Sequence, residues 1–168
     1  MKKLILGLFV LGLTIPAFAQ VVREETLSEV VVYAVNYKYL DNVGDKDIDV
    51  DVNLLQRKVA NYDLKGSDLY TDEYDVYNVS FFIPDGKIVA AYDKDGRVIR
   101  TIEKFKNVKP PSDIIKAVAK RFPGWAFSKD VYLVKYNQDK GAKKVYKFTL
   151  ENGDKKMKVK TDEKGNFI

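Results

Sequence analysis

Asp45, Asp47, Asp49 and Asp51 alternate along the chain like the oxygen ligands that open a calcium loop. Such a loop also needs a Gly at its sixth place and a bidentate acid at its twelfth. Those places hold Val50 and Gln56, so a solvated linker is the default reading and weak calcium binding the alternative. Asp93-Lys94-Asp95-Gly96 reads first as a hairpin turn. Glu103, Asp113, Asp130 and Glu151 could serve acid–base chemistry, but no spacing brings two of them together. Ser112 fits a helix cap and Ser128 a loop. The sequence contains no GxSxG, no P-loop and no GxGxxG between strand and helix. It has no His and no Cys. Imidazole bases, Ser-His-Asp triads, thiolate metal sites and disulfides are thereby excluded. Neither a cofactor nor catalysis is expected, and a carboxylate-only hydrolase is the residual enzymatic reading.

The lysines are more patterned than the acids. Lys147 sits between Tyr146 and Phe148, and Lys156, Lys158 and Lys160 alternate with Met157 and Val159. In a strand, period two sends these two sets to opposite faces. If the aromatic and aliphatic set is buried, Lys147, Lys156, Lys158 and Lys160 lie on an open face, joined by Lys135. Such a face either solvates the sheet and discourages edge pairing or receives an acidic partner. Earlier in the chain, Phe82, Val89 and Ala91 fall on the equivalent side, giving an apolar half beside the basic one.

The elements that position these residues repeat. Tyr77-Asn78-Val79-Ser80-Phe81 aligns with Tyr146-Lys147-Phe148-Thr149-Leu150 at an offset of 69 residues. The same offset places Ile88 on Met157, Ala90 on Val159, Asp93 on Asp162 and Gly96 on Gly165. Ahead of the second copy, Pro110-Pro111 and a Ser112 cap introduce Ile114, Ile115, Val118, Ala119 and Phe122 at helical spacing, and Pro123-Gly124 ends the helix. Trp125 fits a core plug under that end. Ahead of the first copy, Asn53 is the expected cap for Leu54, Leu55, Val59 and Tyr62. Val131–Tyr136 reads as a strand, and so does the Val- and Tyr-rich stretch 27–39.

Residues 1–19 read as a signal peptide. Lys2 and Lys3 precede an apolar run of about twelve residues, and Ala17-Phe18-Ala19 offers a cleavage site before Gln20. A bilayer span needs about 20 apolar residues. No Cys follows to carry a lipid anchor, so the expected location is periplasmic or secreted. Removing Lys2 and Lys3 changes a net charge of 29 − 24 = +5 to 27 − 24 = +3. That mild excess in an exported protein points away from nucleic acid. The expected organisation is a signal peptide (1–19), an N-terminal strand and acidic linker (20–52), a first unit (53–109) and a second unit (110–168). The fold class is α+β, a tandem repeat of helix plus antiparallel meander with the helices on one face of a continuous antiparallel sheet.

The run from Pro111 to Trp125, the strand Val131–Tyr136 and the ending Tyr146 to Gly165 resemble the PepSY-like, β-lactamase-inhibitor-protein-like exported family of Bacteroidetes. The resemblance spans roughly residue 53 onward. It implies tandem helix-plus-sheet units with a concave open face, and protein or peptide binding that in some members inhibits an enzyme. No inhibitory residue carries over to this chain. The expected function is an exported, non-catalytic protein that engages a protein or peptide of the cell envelope, including restraint of an envelope enzyme. The alternative is a small-ligand carrier with a pocket between sheet and helices.

Overall fold

A computed structural model describes residues 35–45 and 47–168. The chain is α+β, with three helices and one six-stranded antiparallel sheet among the described residues. In chain order these are α1 (Tyr37–Val43), α2 (Val50–Ala60), β1 (Val76–Ile83), β2 (Gly86–Asp93), β3 (Val98–Lys106), α3 (Ser112–Arg121), β4 (Ala126–Asn137), β5 (Gly141–Asn152) and β6 (Lys155–Asp162). The spatial order of the strands is their sequence order, a meander from β1 to β6. The α3 segment interrupts it without breaking the sheet, because β3 pairs with β4 from Arg100–Asn137 to Lys106–Val131.

Period two governs the strands. In β5, Tyr146, Phe148 and Leu150 are buried while Lys143 and Lys147 are exposed. The register carries one buried row across the sheet: Gly86 pairs with Phe105, Phe105 with Tyr132, Tyr132 with Tyr146 and Tyr146 with Thr161. The Phe105 and Tyr132 rings lie 6.2 Å apart and those of Tyr132 and Tyr146 4.5 Å. Each such pair adds about 0.5–1.5 kcal/mol beyond the area it buries. This row straddles β3 and β4, so it joins the strands before α3 to those after it. Gly86 has to be glycine here, since a Cβ would stand 2.6 Å from the Phe105 ring.

The helices complete the same core. Tyr39 and Val43 of α1, Val52, Leu55 and Val59 of α2, and Ile114 and Val118 of α3 are buried in one cluster with the strand residues. Tyr39 meets Tyr136 edge-on at 5.3 Å, and the Tyr92 hydroxyl donates to the Val59 carbonyl at 2.7 Å.

Two stretches have the same layout 69 residues apart. β2 covers 86–93 and β6 covers 155–162. Asp93 Oδ1 accepts from the Asp95 and Arg97 amides, and Asp162 Oδ1 from those of Lys164 and Asn166. Gly96 and Gly165 both adopt φ of 80°. The segment after the second turn returns as a single bridge, Thr161 to Phe167, where the first continues as β3.

Several expectations need correction. The strand expected over 27–39 is helical where it is described, since α1 begins at Tyr37, and residues 27–34 lie outside the described set along with the signal-peptide reading. Asp49, not Asn53, caps α2, accepting from the Asp51 amide at 3.0 Å. With that start Leu54 turns outward, 59 % exposed, and Gln56 takes an inner position. A unit boundary at residue 53 therefore cuts α2. Pro111 occupies the cap of α3, and Ser112 is already helical. Trp125 is half-buried against the core rather than plugging it. The strand expected at 131–136 extends over 126–137.

Phe148 is 1 % exposed while its neighbourhood's Lys158 points to the other side. Phe148→Ala should lower the unfolding free energy by about 3–5 kcal/mol. Lys158→Ala should stay within about 0.5 kcal/mol in the same urea titrations. Comparable losses from both would contradict the two-faced sheet.

Candidate functional site

Two places concentrate charge: a buried carboxylate on the inner side of the sheet and a lysine field on the outer side. Glu103 falls on the inner register of β3, between Thr101 and Phe105, and is 1 % exposed. Its Oε1 accepts from the Tyr39 hydroxyl at 2.9 Å and from Thr101 Oγ1 at 2.7 Å. Its Oε2 accepts from Gln56 Nε2 at 2.8 Å. One carboxylate thus binds α1, α2 and β3 together. Lys144, also on the inner register, donates to the Gly44 carbonyl at 3.0 Å and ties β5 to the end of α1.

Burial pushes the Glu103 carboxyl above its ordinary range, against the pull of its three donors and of the Lys144 charge. Gln56 Oε1 is buried without a hydrogen-bond partner. An amide flip would turn that oxygen toward Glu103, where it would accept a hydrogen bond from the acid form. The cluster is therefore built to hold the carboxyl in either state. Apart from Lys144 its partners are neutral, and among the described residues no second carboxylate joins it. Its hydrogen bonds make it an anchor for α1, α2 and β3.

On the outer side, β3 presents Arg100, Lys104 and Lys106, β4 Lys129 and Lys135, and β5 Lys143 and Lys147. β2 adds Lys87, and β6 adds Lys156, Lys158 and Lys160. Acids of the same register are Asp93, Glu151 and Asp162. Eleven cations against three anions make this face +8, whereas the described residues total 25 basic and 21 acidic, or +4. The rest of the described surface is thus net acidic. The three anions are also engaged. Asp93 and Asp162 hold turn amides, and Asn166 keeps the Asp162 carboxyl below its usual range. Glu151 bonds Lys156 at 2.9 Å, which lowers its carboxyl likewise.

The structure places Lys135, Lys147, Lys156, Lys158 and Lys160 exposed on this face. Lys147 and Lys160 are cross-strand partners, as are Lys135 and Lys143. Lys156 is set apart by its ion pair with Glu151. Phe82 is 62 % exposed with the Lys87 ammonium 5.0 Å from its ring, and Val89 is half-buried. Ala91 has the outer register but is only 2 % exposed. Its methyl lies between the longer Asn78 and Arg100 in its cross-strand row, so it offers a partner no area. The apolar half of the face is correspondingly smaller than its sequence suggests.

Sequence reasoning passed over Lys87, Arg100, Lys104, Lys106, Lys129 and Lys143, although strand alternation would have found them. Their register adds a groove. A cavity of about 280 Å³ is lined by Leu133, Lys135, Lys143, Val145, Lys147, Lys160 and Ile168. A second, of about 300 Å³, shares Lys147 and Lys160 and continues along Lys129, Val131, Thr149 and Lys158. The carrier alternative needs a closed apolar pocket between sheet and helices. That layer is filled by Tyr39, Tyr92, Phe105, Tyr132, Leu64 and Ile88, each 1 % exposed or less. A cavity of about 420 Å³ lies instead at the surface, among Asp47, Asp49, Lys109 and Ser112. Two of the four carboxylates in the Asp45–Asp51 run accept from backbone amides: Asp45 from Asp47, and Asp49 from Asp51 and Lys109. Among the described residues no three acids converge as a metal site would require.

The chain matches no protein-family model, no curated protein and no solved structure.

A carboxyl raised by burial holds its proton more tightly in the folded chain than in the unfolded one. The stability this brings is complete below the unfolded value and is lost as pH rises through the folded one. Wild type should therefore gain stability relative to Glu103→Gln as pH falls from neutral toward about 4.3. Paired denaturant titrations across that window test it, and a gap independent of pH would contradict it. Tyr39→Phe, which removes one donor, should cost about 1–3 kcal/mol at neutral pH.

Proposed function

We propose that the chain is an exported, non-catalytic binding protein that engages an acidic protein or peptide of the cell envelope through the lysine-rich face of its sheet. The observation that carries this reading is the segregation of charge: a face of +8 on a described chain of +4. Lysines spread for solubility alone would need no such bias, because mixed charge solvates equally well. A one-signed face steers and orients an oppositely charged partner. Its half-exposed apolar floor would then supply contact area that lysines alone lack.

The reading includes a duplicated architecture. The matching bounds of β2 and β6, and the matching Asp93 and Asp162 turns, support two copies of one hairpin unit 69 residues apart. In this reading the helices cover the side of Tyr92, Tyr136 and Phe148 and leave the lysine side free. Affinity with the PepSY-like exported proteins belongs to the same proposal and rests on the residues quoted for it. So does export, which rests on the N-terminal twenty residues. Restraint of an envelope enzyme is the form of partner binding that the resemblance favours.

Lys147→Glu, Lys158→Glu and Lys160→Glu combined should abolish capture of an envelope partner by cross-linking in the native envelope. The melting temperature should shift by only a few degrees, as these side chains are exposed. Capture that survives the triple reversal would refute the face as the docking surface.

A further inference from the structure

Along the outer groove, cationic and apolar rows follow one another at the spacing of alternate strand residues. Lys135 and Lys143 form the first row, and Leu133 and Val145 the second. Lys147 and Lys160 form the third, beside Val131. Along β5 the rows are therefore Lys143, Val145 and Lys147, each two residues from the next. Two residues of antiparallel strand rise about 7 Å, so the cationic rows stand about 14 Å apart with the apolar row between them. The groove over these rows is open, and its two cavities meet at Lys147 and Lys160.

We infer that the groove selects an extended peptide segment of the pattern acid-x-apolar-x-acid. This rests on the lysine face being the docking surface and names what that surface reads. An extended chain points residues i, i+2 and i+4 to one side with the same rise per residue. Laid along β5, its first carboxylate meets Lys135 and Lys143, and its second meets Lys147 and Lys160. Its central apolar side chain sits over Leu133 and Val145, both half-buried. None of the residues lining either cavity has a carboxylate side chain, and Asp162, which pairs with Val145 on the same face, is held by the amides of Lys164 and Asn166. A clustered run of acids would satisfy the charge and leave the apolar row uncovered.

The occupant is an extended segment of a partner and not the folded part of a second copy; the chain's own Glu25-Thr26-Leu27-Ser28-Glu29, outside the described residues, has the same pattern and is its competitor in the test. Among the described residues the pattern occurs at Asp41-Val43-Asp45 and at Asp68-Tyr70-Asp72. Val43 is 0 % exposed, and Tyr70 stacks on Tyr77 at 5.6 Å. Val43 is thus withheld from a neighbour, and Tyr70 is partly covered by Tyr77.

The test is fluorescence anisotropy at low ionic strength with three probes on the full chain. One is a labelled, capped peptide with the core Glu-Ser-Val-Ser-Glu. The second is its isomer Glu-Glu-Ser-Val-Ser, and the third is poly-glutamate. The patterned peptide should bind about tenfold more tightly than its isomer. That advantage should vanish in Lys147→Glu/Lys160→Glu, whose fold is checked by circular dichroism. Should the reversal unfold the chain, Lys147→Gln/Lys160→Gln is used in its place. Equal affinity for the two isomers, with poly-glutamate still bound, would overturn the pattern while leaving the docking face intact. Failure of all three probes to bind would overturn both. A patterned peptide indifferent to the Lys147 and Lys160 substitutions would also overturn it.

Discussion

The pleat of a single sheet, kept in register over six strands, is the constraint on which the rest depends. Each strand residue belongs to one of two faces, and a slip of one position exchanges them. Between β4 and β6 such a slip would bring Lys135, Lys147 or Lys158 to the buried side and expel Tyr146 or Phe148 into water. Burying an unpaired ammonium costs several kcal/mol, and losing the burial of an aromatic ring adds to it. The lysines therefore fix the register by being intolerable inside, as much as the aromatic rows fix it by being favourable there. The same residues that specify the fold make the surface on which a partner would land.

Two charged residues are buried on the inner side of the sheet. Glu103 and Lys144 both occupy inner positions, and the chain spends three side-chain donors and a carbonyl on them. An apolar pair of similar size would be no less stable in principle. What the polar arrangement adds is direction. Apolar helices can slide on a greasy sheet, whereas Tyr39 and Gln56 can reach one carboxylate only from one placement of α1 and α2. Asn36 acts similarly ahead of α1, with Nδ2 donating to the Ala60 carbonyl and Oδ1 accepting from the Val98 amide.

Much of this was legible before any coordinates. Alternation around Tyr146 and Val159 fixed which lysines face outward, and the residues at 93–96 and 162–165 marked two turns with matching side-chain hydrogen bonds. The α3 segment announced itself by apolar spacing between Pro110-Pro111 and Pro123-Gly124. The errors came where local preference and tertiary need diverge. Tyr37 and its neighbours have strand propensity, yet Asn36, Tyr39, Leu40 and Val43 stand at helical spacing, and three of those four are buried. The period was the better guide, because burial chose it. The Glu103 anchor left a trace too. It is an acid at an apolar parity in β3, as Lys144 is a base at an apolar parity in β5. Their meeting could not be read, since it depends on helices more than forty residues upstream in sequence folding over the strands. Ala91 shows the converse limit: parity gives the face of a residue but not whether larger neighbours cover it.

The central claim is that the two sides of this sheet have separate tasks, cohesion on one and recognition on the other. Chemical-shift mapping of the isotopically labelled chain during a poly-glutamate titration addresses it most directly. The account predicts perturbations at Lys143, Val145, Lys147, Thr149, Lys158 and Lys160, graded by salt, with the side-chain signals of Tyr39, Tyr132 and Phe148 unmoved. Perturbations spread evenly over the molecule, or centred on the helices, would contradict it.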